Sequence, residues 1–336
     1  MTPPSYSVVG IDSLDQPGGA ASAVGRHVGR RLVADLQTQV HQLRLADDIL
    51  AGHDLLVPAF RALDAALHTQ RETLHNAAVG RGILSAVGEF AQIAGWVASD
   101  AGEYRRAEGA YRLGADAARE ARDPALESHL VGSLAYQITN VGDPADGVKA
   151  ALASVSVAES SGMPRARALA RDRLAWAHAR TGDAEAAQRA LGEAGDALAA
   201  AGPANDDPDY LYWVNADELR IMEARVYTEL HRPLRAIPLL VEVLETYEAT
   251  HAREVALYMS WLAIALADAN EIEEAATVAA RMLELSSEIA SERTAVRARV
   301  VAARLARHRD VPAVAAVLEA QRGRTRAANP DSGRLE

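Results

Sequence analysis

The chain has 336 residues, 35 basic and 46 acidic, a formal charge of −11 and no cysteine. This excludes a domain that grips nucleic acid with a basic face in aggregate, and it excludes disulfides, thiolate catalysis and Cys-ligated zinc. No apolar run approaches the ~20 residues that span a bilayer, and residues 1–19 lack a basic segment before an apolar core, so a cytoplasmic protein without membrane contact is expected.

Hydrophobic residues make up 49% of the chain but aromatics only 4%. Alanine dominates the apolar set. It is the best helix former, and its small side chain lets helices approach closely. An all-α chain follows. Residues 1–19, with Pro3, Pro4 and Pro17-Gly18-Gly19, read as an extended leader. A helix is predicted from Ala20 to Leu50, because Val24, Val28, Leu32, Leu36, Val40 and Leu43 recur at three- to four-residue steps. A second runs from Leu55 to His75. Helical pairs then follow: 83–101 with 104–121, 124–141 with 144–160, and 164–181 with 184–200. Residues 202–209, rich in Pro, Asp and Asn, interrupt the array as a joint. Beyond it come 209–230 with 233–250, 253–269 with 271–289, and 291–307 with 311–322. Residues 323–336 read as a disordered tail.

Gly102, Gly142 and Gly182 fall at a 40-residue interval, each followed by an acidic residue. A period of this size marks stacked structural repeats. The tetratricopeptide pattern asks for a small residue in the first helix, a turn glycine, a second small residue and a large apolar one. Gly95, Gly102, Ala107 and Tyr111 meet it, as do Ala175, Gly182, Ala187 and Leu191, and Ala224, His231, Ala236 and Leu240. The period exceeds the usual ~34 residues, so the helices are longer or the loops wider. We read an α-solenoid of six to seven tetratricopeptide-like hairpins over residues 20–322. The interval widens to 49 residues between Gly182 and His231, which suggests two stacks around a joint that is free to bend.

In this register the first helices line a concave groove. Gln92, Trp96, Ser99 and Asp100 come from one repeat, His129, Tyr136 and Asn140 from the next, and Asp172, Trp176 and Arg180 from the third. Glu218, Arg225 and Glu229 come from the fourth, and Glu89 joins those of the first. Trp96, Tyr136 and Trp176 share the 40-residue interval. Aromatics supply contact area at low entropy cost, and a few polar groups fix a ligand's orientation. The same three rings could instead pack between successive hairpins. No cofactor or metal is expected: His68 and His75 share a helix face without a third ligand between them, and Asp206, Asp207 and Asp209 lack the rest of a calcium loop. No phosphate-binding glycine loop or nucleophile motif occurs, so the chain is not expected to be an enzyme. Arg293, Arg297, Arg299, Arg304, Arg307 and Arg309 make the last helical pair basic, either as a solvated face or as a contact for an acidic partner.

The stretch Ala94-Gly95-Trp96 followed by Asp100-Ala101-Gly102 resembles the "AGW…DAG" signature of actinobacterial helix-turn-helix transcriptional regulators with a C-terminal tetratricopeptide array. Residues 118–123 (AREARD), 133–137 (SLAYQ) and 230–240 resemble further segments of that group, in the same order; His231 and Ala135 depart from its glycine and serine. The resemblance implies a ligand-sensing and oligomerisation domain, a peptide or small-molecule effector, and a homodimer. Residues 25–31 are basic, but no two short helices with a tight turn follow. DNA would be reached only through a domain outside this chain. The competing expectation is a passive protein-interaction adaptor without a small ligand.

Overall fold

The computed structural model describes residues 26–49, 52–202, 207–246, 252–286 and 291–328. Among them the helices are α1 (Arg30–Ile49), α2 (Gly52–Glu72), α3 (Ala77–Asp100), α4 (Tyr104–Ala121), α5 (Pro124–Val141), α6 (Pro144–Ser161) and α7 (Pro164–Arg180). They continue as α8 (Ala184–Ala199), α9 (Ala216–Glu229), α10 (Pro233–Thr246), α11 (Ala252–Asp268), α12 (Ile272–Ser286), α13 (Glu292–Leu305) and α14 (Pro312–Ala328). One two-residue parallel pairing, β1 (Arg26–His27) with β2 (Thr73–Leu74), ties α1 to the end of α2. No described helix is long and apolar enough to cross a membrane.

From α3 onward each odd helix packs on the even helix that follows it, and the odd helices α1 to α13 also neighbour one another in sequence order. The odd helices form the inner layer of a tetratricopeptide-like α-solenoid. The predicted small residues lie where the paired helices cross. A Cβ at Gly95 would sit 2.5 Å from the Tyr111 ring, and Ala175, Ala187, Ala224, Ala236, Ala263 and Ala275 are fully buried. The turns repeat one conformation: Gly102 (φ 80) and Gly182 (φ 79) are left-handed, and so are His231 (φ 53) and Asn270 (φ 68) at the equivalent positions. His231 therefore keeps the geometry of the glycine it replaces, and its Nδ1 lies 2.7 Å from Asp268 Oδ2. Gly142 differs, with φ −115. Pro144 holds Asp143 in an extended conformation, as a proline does to its predecessor, and the turn takes another path.

Three boundaries depart from the sequence reading. The expected leader and residues 20–25 of the expected first helix lie outside the described residues; residues 26–29 of that helix are not helical, Arg26–His27 forming β1, and α1 starts at Arg30. The expected tail begins too early: α14 runs on to Ala328, and the Arg324 guanidinium donates to Leu283 O and, at 2.9 Å, to Ser286 O at the end of α12. A cation there answers the open carbonyls of a helix C-terminus. The helix expected from Asp209 is instead a 3-10 turn, Asp209–Leu211, with irregular chain up to the α9 N-cap Asn215. Tyr210, Leu211 and Val214 are buried against Leu126, Leu130 and Leu169 of α5 and α7, so this segment, which extends the joint to residue 215, folds onto the first stack. The described flanks of the joint are also held by one side chain. Arg165 pairs with Asp207 and donates to Val214 O at 2.6 Å and Gly202 O at 3.3 Å.

The superhelix comes round on itself. Asp100, at the end of α3, accepts a 2.8 Å hydrogen bond from Ser291 Oγ, 191 residues away. Ser291 also caps α13, accepting from Thr294 N. A Cβ on Gly102 would lie 3.5 Å from Glu292 Cγ.

Candidate ligand cavity

The inner layer encloses a cavity of about 430 Å³, within the ~300–1,000 Å³ of small-ligand sites. Helical spacing brings its residues together. Gln92 and Trp96 stand one turn apart on α3, Leu169 and Asp172 on α7, and Glu218, Met222 and Arg225 on α9, each set sharing a face. Tyr136 of α5 stacks on Trp96 with ring centroids 5.9 Å apart.

Arginines cover this aromatic pair. The Arg173 guanidinium lies 5.7 Å from the Trp96 centroid and 5.1 Å from that of Tyr136, and Arg293 of α13 lies 4.9 Å from Trp96. Arg225 Nη2 donates to Tyr136 Oη at 2.6 Å. Burial pushes the Tyr136 hydroxyl up, but Arg225, Arg293 and Arg173 together outweigh it and bring it down to about 8. The acids behave oppositely. Burial, with Glu218 adding to it, holds the Asp172 carboxyl well above the usual carboxylate range, against the pull of Arg173 and Arg225. Burial likewise raises Glu218 despite Arg225. The cavity thus combines an aromatic floor, hydrogen-bond donors with fixed charge, and carboxyl groups able to hold a proton. That set can orient a polar ligand.

Of the eleven groove candidates, Gln92, Trp96, Tyr136, Asp172 and Arg225 line the cavity. The other six stand elsewhere. Trp176 is 1% exposed: it packs edge-on against Trp261 at 5.3 Å, and its Nε1 donates to Asn140 Oδ1 at 3.2 Å. It belongs to the core between hairpins, and Asn140 serves as its partner. Arg180 pairs with Glu229 at 3.0 Å. Asp100 is fully buried in the contact with Ser291. Ser99 is half-buried outside the cavity. His129 is covered by the joint, stacked at 6.1 Å on Tyr210 and tilted against Trp213; burial, then Arg173 and Arg44, push its imidazole well below the ordinary range, so it is neutral.

Other lining residues escaped the register argument: Arg44 and Asp47 of α1, Tyr212 and Trp213 of the joint, Tyr258 of α11 and Arg293. The aromatic run Tyr210 to Trp213 in an otherwise polar linker was the available signal, since such bulk seeks cover. The basic C-terminal pair is largely taken up by neighbours. Arg297 stacks on Trp261 at 3.4 Å, Arg299 pairs with Glu292, and Arg304 pairs with Asp268.

No protein-family model matches the chain, and no curated protein matches it. Among solved structures, a Rap protein complexed with competence and sporulation factor aligns over 89% of this chain and 99% of its own, at 10% identity and a TM-score of 0.54. BtubC (BKLC) from P. vanneervenii aligns over 71% of this chain and 92% of its own, at 15% identity and a TM-score of 0.48. At 10% identity the Rap likeness is one of fold, and it agrees with the hairpin register: the chain is a tetratricopeptide-like helical repeat.

Proposed function

We propose that this chain is the sensing domain of a regulator, which binds a peptide or small molecule in the cavity of its inner layer and has no catalytic activity. One observation carries the reading. The cavity takes residues from α1, α3, α5, α7, the joint, α9, α11 and α13, so a single bound molecule touches both ends and the middle of the array. A ligand with different affinity for two pitches of a solenoid shifts the population between them, and the pitch sets the spacing of whatever the array carries. The Rap structure, of the same fold, was solved with a bound factor. The sequence resemblance extends the proposal to a transcriptional regulator, acting as a cytoplasmic homodimer and reaching DNA through a separate domain.

Affinity selection with mass spectrometry tests the cavity. Wild type, incubated with pools of synthetic peptides and common metabolites, is expected to retain at least one compound. Trp96→Ala should lose it at least tenfold while melting within a few degrees of wild type, because Trp96 is half-buried. Retention of nothing, or undiminished retention by Trp96→Ala, sinks the sensor reading in favour of a passive adaptor.

A further inference from the structure

Asp172 and Arg173 are neighbours on α7, one an acid and the other a base, and both line the cavity. Neither hydrogen-bonds to the other. Successive helical residues point about 100° apart, so the two groups diverge. Asp172 is 2% exposed; among the described residues it makes no hydrogen bond or ion pair, and its Oδ1 is a buried atom without a partner. Arg173 is 5% exposed; it rests on the Trp96 and Tyr136 rings, and its Nε has no hydrogen-bond partner. Arg44 Nη1 and Arg225 Nε, also on cavity residues, lack partners too. Those two arginines have other nitrogens engaged, by Glu89 and Tyr136 respectively.

Native proteins rarely leave buried polar groups unpaired, and charged ones least of all. The surplus here comprises an acid and several bases. A purely cationic ligand would answer Asp172 and add charge beside the arginines. A purely anionic one would answer the arginines and leave the buried Asp172 carboxyl without a partner. A molecule with both charges answers both sides at once. We infer that the cavity takes a zwitterion, namely a short peptide with unblocked termini, its ammonium on Asp172 and its carboxylate on Arg173 and Arg225. This rests on the sensor reading above and names its ligand class. Glu218, on the facing helix α9, also lines the cavity, so a ligand ammonium that draws the proton from Asp172 has a second carboxyl beside it. Trp96 and Tyr136, which also line the cavity, add aromatic surface beside these arginines.

The test uses four pools of the same random tripeptides: unblocked, N-acetylated, C-amidated, and blocked at both ends. Each is offered to the full chain as wild type, Asp172→Asn and Arg173→Gln. Wild type should retain the unblocked pool at least tenfold above either singly blocked pool. Asp172→Asn should stop discriminating against N-acetylation yet still reject the C-amide; Arg173→Gln should do the reverse. Equal retention of unblocked and doubly blocked pools overturns the zwitterion and leaves the sensor reading standing. So does binding of metabolites alone. Retention of nothing from any of the four tripeptide pools overturns the zwitterionic peptide, and the sensor reading falls with it only if the peptide and metabolite pools of the first experiment are also not retained. If Arg173→Gln does not melt cooperatively, Asp172→Asn decides alone: an unchanged preference for the free amino terminus sinks the inference.

Discussion

Two tryptophans at one repeat position have opposite roles. Trp176 is enclosed by Trp261, Asn140 and Arg180, whereas Trp96 is half-buried and lines the cavity. Trp176→Ala should therefore cost about 3–5 kcal/mol, read as a fall in denaturation midpoint well beyond that of Trp96→Ala. Tyr136 makes stability depend on pH. Folding lowers its hydroxyl from 10.0 to about 8, so between those values the unfolded chain binds more protons. Stability should rise with pH across that window, by on the order of 2 kcal/mol, and the gain is lost as pH falls through 8. Urea denaturation at both ends of the window checks this, and Tyr136→Phe should flatten the slope. Trp96, Tyr136, Asp172 and Arg225 are legible in the sequence because they repeat along first helices. Trp96 and Trp176 look alike there, since periodicity reports a side chain's direction and not what lies opposite.

Caps and breakers delimit the helices, and where they are strong the boundaries were legible. Asp123 accepts from Leu126 N and Asp183 from Ala186 N, and α4 and α5 span the residues that Gly102 and Asp123-Pro124 predict. The segment 209–215 misled because its spacing of apolar residues suits a helix. Long-range burial of Tyr210 decided otherwise, its hydroxyl donating to Asp123 Oδ1 at 3.0 Å. Ser291 joins two elements at once, as cap of α13 and donor to α3. Ser291→Ala should cost about 1–2 kcal/mol and speed amide exchange in the first turn of α13 and the last turn of α3. Exchange confined to α13 would mean that the link to α3 contributes nothing.

At the scale of the molecule, the fold class and hairpin count are carried by local signals, whereas closure is not. Nothing near Asp100 in sequence announces Ser291, and nothing near Trp96 announces Arg293. This is why α1, α11 and α13 were missing from the predicted site. Closure also orders events in time. Each hairpin folds from neighbouring sequence, but a contact spanning 191 residues must await the rest of the array, and contacts of such separation form slowly. During synthesis the N-terminal hairpins emerge first. Trp96 can meet Tyr136 early; Arg293 reaches Trp96 only after about 200 further residues have been made. A nascent chain halted before α13 would hold the earlier repeats around an open trough, so the wall that Arg293 adds to the cavity is among the later parts of this array to be laid down.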